Sequence, residues 1–201
     1  MSAKAAMLAR LRAAGRSATA LPELPVFAAP ETPLVERFTA QLEAMGGQCL
    51  RFDSLRAVQQ FVIERHGADA IVCSAVDGLP GTRPLTPQTL PASLADVELG
   101  IVRARYGVAE TGSVWLSETE YCVNALGYLA QHLLVLLDPS VIVAGIQDVY
   151  RLPDFSQARY AALVTGPSAT ADIEGILIRG AQGVRSLTVG FVSAAVAAES
   201  S

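Results

Sequence analysis

Two stretches of this 201-residue chain set reactive side chains beside glycines that let a ligand approach closely. The first is Gly166-Pro167-Ser168-Ala169-Thr170-Ala171-Asp172-Ile173-Glu174. It follows the apolar run Tyr160 to Val164, which reads as a buried strand, and precedes Ile176-Leu177-Ile178, which suits a helix packed on a sheet. The predicted order is strand, Gly-Pro turn, hydroxyl-rich corner, helix. Such a corner turns free backbone N–H groups and the Ser168 and Thr170 hydroxyls toward a carboxylate or phosphate. A simpler reading fits equally: Ser168 or Thr170 caps the helix, and Asp172 and Glu174 complement its dipole. The reciprocal capping box is absent, because Ala171 and Ile173 stand where it needs Glu or Gln.

The second stretch is Gly107-Val108-Ala109-Glu110-Thr111-Gly112-Ser113. It interrupts a strand-like region with a carboxylate, two hydroxyls and two glycines. Glu110 has the chemistry of a general acid, base or nucleophile, and glycine here permits a turn or a close ligand. The alternative is a β-bulge or hairpin with a solvated glutamate. Tyr106 and Trp115 flank the stretch and suit either a pocket wall or the core. One geometric expectation joins the two stretches: Glu110, Thr111, Gly112 and Ser113 face Gly166, Ser168, Thr170 and Asp172 across a single crevice. Strand ends of open α/β sheets bind ligands in this way.

Composition excludes several other chemistries. A net charge of −4 leaves no basic footprint for nucleic acid. No apolar run reaches the length of a membrane span; the strongest, Leu133 to Leu137, is bounded by His132 and Asp138. Lys4, Arg10, Arg12 and Arg16 lie among alanines with no apolar signal core after them, so a solvated amphipathic helix over 5–14 and a cytoplasmic location are expected. Cys49, Cys73 and Cys122 form no Cys-x-x-Cys pair, so neither metal-ligand spacing nor a disulfide framework is indicated. His66 suits a helix C-terminus, and His132 suits the head of a strand. No nucleophile elbow or dinucleotide-binding glycine pattern occurs, Gly175, Gly180 and Gly183 being wrongly spaced.

The elements that must position these residues follow from periodicity. Thr32 and Pro33 open a helix with Val35, Phe38, Leu42 and Met45 along one stripe, closed by Gly46-Gly47. A strand over 48–52, a helix capped by Ser54 and ending at Gly67, and a strand over 70–76 closed by Asp77-Gly78 come next. Further strands are expected over 97–103, 106–116, 132–137, 141–144 and 187–192. Strands alternating with helices at this spacing predict an α/β fold with a largely parallel sheet and right-handed crossovers. Prolines 80, 84, 87 and 91 mark a long connection that suits a lid or a plain surface crossing. Residues 1–31 read as an N-terminal helix with a proline-rich linker, and 32–201 as one domain.

On the two motifs, with Gln131-His132-Leu133-Leu134-Val135 and Gly180-Ala181-Gln182-Gly183-Val184-Arg185-Ser186-Leu187, the sequence resembles the LUD-domain family, within it the lactate utilization protein C group. The likeness runs from about residue 35 to 192. It implies a three-layer α/β sandwich with a mostly parallel central sheet, similar to the sugar-phosphate isomerase and CoA-transferase-like superfamily. It also implies a cytosolic role in oxidising L-lactate to pyruvate beside iron–sulfur partner proteins that carry the clusters, this chain binding no redox cofactor of its own. The family position matching Ala169 is often arginine; Arg179 and Arg185 are the nearby candidates to replace it. Two other functions stay open on the residues: an enzyme using Glu110 on a phosphorylated or CoA-linked small molecule, and a non-catalytic metabolite-binding protein.

Overall fold

The computed structural model describes residues 2–15, 20, 22–28, 31–172 and 174–193. Its helices are α1 (Ala3–Ala13), α2 (Leu34–Ala44), α3 (Leu55–His66), α4 (Glu118–Tyr121), α5 (Leu126–Leu129), α6 (Ile146–Tyr150) and α7 (Pro153–Gln157). Its strands are β1 (Gln48–Arg51), β2 (Val72–Ser74), β3 (Leu99–Arg103), β4 (Tyr106–Val108), β5 (Ser113–Ser117), β6 (His132–Leu137), β7 (Ile142–Val143), β8 (Ala161–Val164), β9 (Ala169–Thr170), β10 (Ile178–Arg179) and β11 (Ser186–Phe191).

The central sheet is fully parallel, in the order β1-β11-β6-β3-β2. Strand alternation divides its side chains between two cores. Leu134 and Leu136 of β6 and Ile101 of β3 face α3, which contributes Leu55, Val58 and Val62. Leu133, Val135 and Leu137 point the other way, onto Phe38 and Leu42 of α2 and Val114 and Leu116 of β5. Three layers therefore stack: α3, the parallel sheet, and a layer built from α2 and a second sheet. Phe38 and Leu42 are fully buried, and each such side chain contributes about 1.5–3 kcal/mol of burial.

The second sheet, β7-β4-β5-β8, is mixed and was not separated from the first by periodicity. β4 pairs antiparallel with β5 and parallel with β7, and β5 pairs antiparallel with β8. The strand expected over 106–116 is therefore a hairpin that breaks at residues 109–112. Trp115 is buried in the small core under α6 with Val108 and Val149, and its edge lines a shallow polar cavity with Arg105 and Asp154. Tyr106 donates its hydroxyl to Asp154 at 2.6 Å.

One local expectation holds at the level of a single bond. The Ser54 hydroxyl accepts from Ala57 N–H at 3.0 Å, capping α3. Others shift. Pro33, not Thr32, is the N-cap of α2, and Met45 is exposed rather than part of the buried stripe. The helix expected after Gly166 is absent among the described residues. Residues 169–170 and 178–179 instead pair as an antiparallel hairpin, with Ile176 and Leu177 exposed in its loop. That apolar run lacks the three- and four-residue spacing that buries a helix face.

The proline-marked connection is a surface crossing that seals a sheet edge. Val72 N–H donates to the Thr82 hydroxyl at 2.9 Å, and Arg83 N–H donates to Val72 O at 3.0 Å. These bonds occupy the free side of β2, where an unpaired edge would otherwise invite association. α1 is exposed along its whole length, with Ser2 as its cap. The expectations for Arg16, Pro30, Ile173 and the residues after Ser193 lie outside the described residues. Among the described residues no helix is long and apolar enough to cross a membrane.

Candidate functional site

The two motifs meet along α2. The turn at 109–112 runs beside its last turn, at Gln41 and Leu42. A Cβ on Gly112 would lie 2.2 Å from the Leu42 nitrogen, and Gly112 has φ +65°. Gly166, with φ +64°, lies one helical turn further on, where a Cβ would stand 2.6 Å from Met45 O. Both positions need glycine twice over: for the left-handed backbone and for the approach to helix backbone.

Hydroxyls close the seam. Thr111 Oγ1 and Ser113 Oγ are 2.7 Å apart, and Ser113 Oγ also hydrogen-bonds Thr165 Oγ1. Thr165 directly follows β8, whose Val164 pairs with Val114. Ser113 is 4% exposed, so this hydroxyl set is an internal joint of the two motifs. Burial of these groups is tolerable because each finds a partner.

Glu110 stands at the other side of the turn and is exposed. Its Oε2 accepts from Ile146 N–H at 3.1 Å, and its own N–H donates to Ala144 O at 3.0 Å. It lines a cavity of about 250 Å³ with Arg37, Gln147, Asp148 and Arg151. Arg37 comes from α2, one to two turns before Leu42. Among the described residues its guanidinium has neither an ion pair nor a hydrogen bond. Arg151 is held by Asp148 at 3.0 Å and donates to the carbonyls of Leu24 and Pro25 at 3.0 and 2.5 Å. Pro25, Phe27 and Ala28 of that extended segment complete the wall. Gly145 forms the floor: a Cβ there would come within 3.1 Å of both Glu110 Oε2 and Gln147 Oε1.

Ser168, Thr170 and Asp172 do not line this cavity. Ser168 is half-buried against the loop before β11: its N–H donates to Val184 O at 3.0 Å, and Gly180 N–H donates to Ser168 O at 2.8 Å. The Thr170 hydroxyl accepts from Asp172 N–H at 3.3 Å, and Asp172 is exposed. Arg179 stands directly opposite Ala169 in the hairpin, with its guanidinium against Gly46 at the end of α2. Thr111, Gly112, Ser113 and Gly166 are thus brought together, Glu110 opens onto a polar cavity, and the hairpin residues form a separate surface. Arg37, Gln147, Asp148 and Arg151 escaped sequence reading. The one local signal was Gly145 followed three residues later by Asp148, whose carboxylate accepts from Gly145 N–H at 2.9 Å.

The two histidines of the chain lie together at the N-terminal end of the parallel sheet. Their ring centroids are 5.3 Å apart. His66 Nδ1 is 3.1 Å from Glu98 Oε1, and His132 Nδ1 is 2.7 Å from Ser186 Oγ. Burial and the neighbouring His66 push the His132 imidazole below its ordinary range. Cys49, Cys73 and Cys122 are unpaired thiols on β1, β2 and just after α4, and burial raises all three above the usual thiol range. Among the described residues no three His, Cys, Asp or Glu side chains are grouped to hold a metal ion.

The fold is similar to the crystal structure of a DUF162 family protein from Deinococcus radiodurans, with a TM-score of 0.63 at 14% identity, covering 82% of this chain and all of that one. No curated protein matches the chain. The LUD domain matches residues 81–192, more than half of the sequence and a span holding both motifs. This chain belongs to the LUD domain family.

Proposed function

We propose that the chain serves lactate utilization as a subunit or accessory protein of a complex that oxidises L-lactate to pyruvate, with iron–sulfur partner proteins taking the electrons. The LUD domain is associated with lactate utilization, which supplies the biological setting. The oxidation removes two electrons and two protons from lactate, so it needs an acceptor. The dispersed thiols of this chain do not suit cluster ligation, which calls for cysteines converging on one point. The electron transfer is therefore assigned to the partners, and this chain to holding a small carboxylate.

One observation carries the reading: Glu110, inside the span that matches the LUD domain, opens onto a cavity of about 250 Å³ that Arg37 and Arg151 also line. That volume lies below the range of drug-sized pockets and suits a metabolite of a few heavy atoms. Co-purification from lactate-grown cells tests the proposal. Recovery of iron–sulfur proteins with this chain, and loss of growth on lactate after its deletion, are expected. Normal growth on lactate with no iron–sulfur partner recovered rejects it.

A further inference from the structure

We infer that the cavity around Glu110 is a binding site for a small α-hydroxy monocarboxylate, in which Arg37 takes the carboxylate and Glu110 the α-hydroxyl. This deepens the preceding proposal and rests on it for the metabolic setting, but its chemistry comes from the cavity. Arg37 is the group that sets the ligand class. It is half-buried, lines the cavity, and has no partner among the described residues. An unpaired guanidinium beside a cavity offers a planar fork that fits a carboxylate through two parallel N–H bonds.

Glu110 sets the second feature. It is already engaged as an acceptor, through Oε2 and Ile146 N–H. Its other oxygen lacks a protein donor among the described residues and so favours a ligand that donates. A hydroxyl does; a keto oxygen does not, and set against a carboxylate oxygen it brings two acceptors together. The site should therefore prefer the hydroxy acid to its keto counterpart.

Charge decides between monoanion and dianion. Arg151 is satisfied by Asp148 and by the Leu24 and Pro25 carbonyls. Arg37 and Glu110 then balance each other. A ligand with one negative charge adds little repulsion, whereas a phosphate dianion would meet the Glu110 and Asp148 carboxylates with Arg37 alone, among the described lining residues, unpaired to offset them. Pro25, Phe27 and Ala28, on the segment that Arg151 tethers, form one wall of the site.

Titration calorimetry on the full chain with L-lactate, pyruvate and inorganic phosphate tests the inference. One saturable lactate site is expected, with pyruvate at least about fivefold weaker and phosphate failing to compete. Arg37→Gln should weaken lactate at least about tenfold while leaving the melting temperature of the unliganded protein unchanged, because its guanidinium makes no bond among the described residues. Glu110→Gln keeps an acceptor for Ile146 and can present an amide donor, so it should erase the preference for lactate over pyruvate. No lactate binding by the unmodified chain, tighter binding of phosphate than of lactate, or an Arg37→Gln variant of unchanged affinity would overturn it. Lactate binding without iron–sulfur partners in cells would sink the complex and spare the site; partners without lactate binding would do the reverse.

Discussion

The Ser113 hydroxyl hydrogen-bonds the Thr165 hydroxyl where β5 begins beside the end of β8. That contact ties together two motifs separated by about fifty residues, and both press a glycine onto α2. Burial of the joint makes it a structural test. Ser113→Ala leaves the Thr111 and Thr165 hydroxyls without their shared partner and should cost about 1–3 kcal/mol in urea denaturation. Thr165→Ala should cost a similar amount, and the double variant less than the sum, with a coupling of about 0.5 kcal/mol or more. Additive losses would show that the hydroxyls do not act as one set.

Gly112→Ala addresses the same seam from the backbone side. The new methyl would meet the Leu42 nitrogen, at a residue with φ +65°. Left-handed strain of about 1–2 kcal/mol and overpacking of about 1–3 kcal/mol act together. A strongly lowered urea midpoint with an unchanged slope is expected. Retention of full stability would mean α2 does not lie against this turn.

Legibility in the sequence tracked how local each feature is. β6 is bounded by His132 and Leu137 as its apolar run implies, and Ser54 caps α3 as its position before Leu55 implies, because both depend on neighbours in the chain. The segment after Gly166 misled. Its hydroxyls and acids resemble a helix start, yet the chain turns back so that Arg179 pairs with Ala169. The cavity was illegible for a different reason. Glu110 stood out, but Arg37 and Arg151 reach it from α2 and from the end of α6, and no spacing encodes a contact across three elements.

One wall of the cavity depends on a single side chain. Arg151→Gln removes the donors to Leu24 O and Pro25 O, and Val26 and Phe27 are already largely exposed. Limited proteolysis with chymotrypsin should then cut after Phe27 several times faster than in the unmodified protein, while the body of the chain resists as before. Equal rates would show that the guanidinium does not hold the segment.

The histidine pair makes stability depend on pH. The folded-state value of His132 is depressed by burial and by His66, with Arg185 and Arg65 acting in the same sense and Glu98 opposing them. The unfolded chain therefore takes up the proton first as pH falls. The contribution is intact above about pH 6.5, the ordinary value for histidine, and is lost as pH falls through the lower folded-state value. Thermal melts between pH 7.5 and 5 should show a falling melting temperature, and His132→Gln should flatten that fall. A variant with an unchanged slope would place the pH response elsewhere.

The most direct test of the account is a crystal structure of the full chain grown with L-lactate. The account predicts lactate in the Glu110 cavity, its carboxylate on the Arg37 guanidinium and its hydroxyl on a Glu110 oxygen. Lactate bound instead at the hairpin of Ser168 and Thr170, with the Glu110 cavity holding only water, would contradict it.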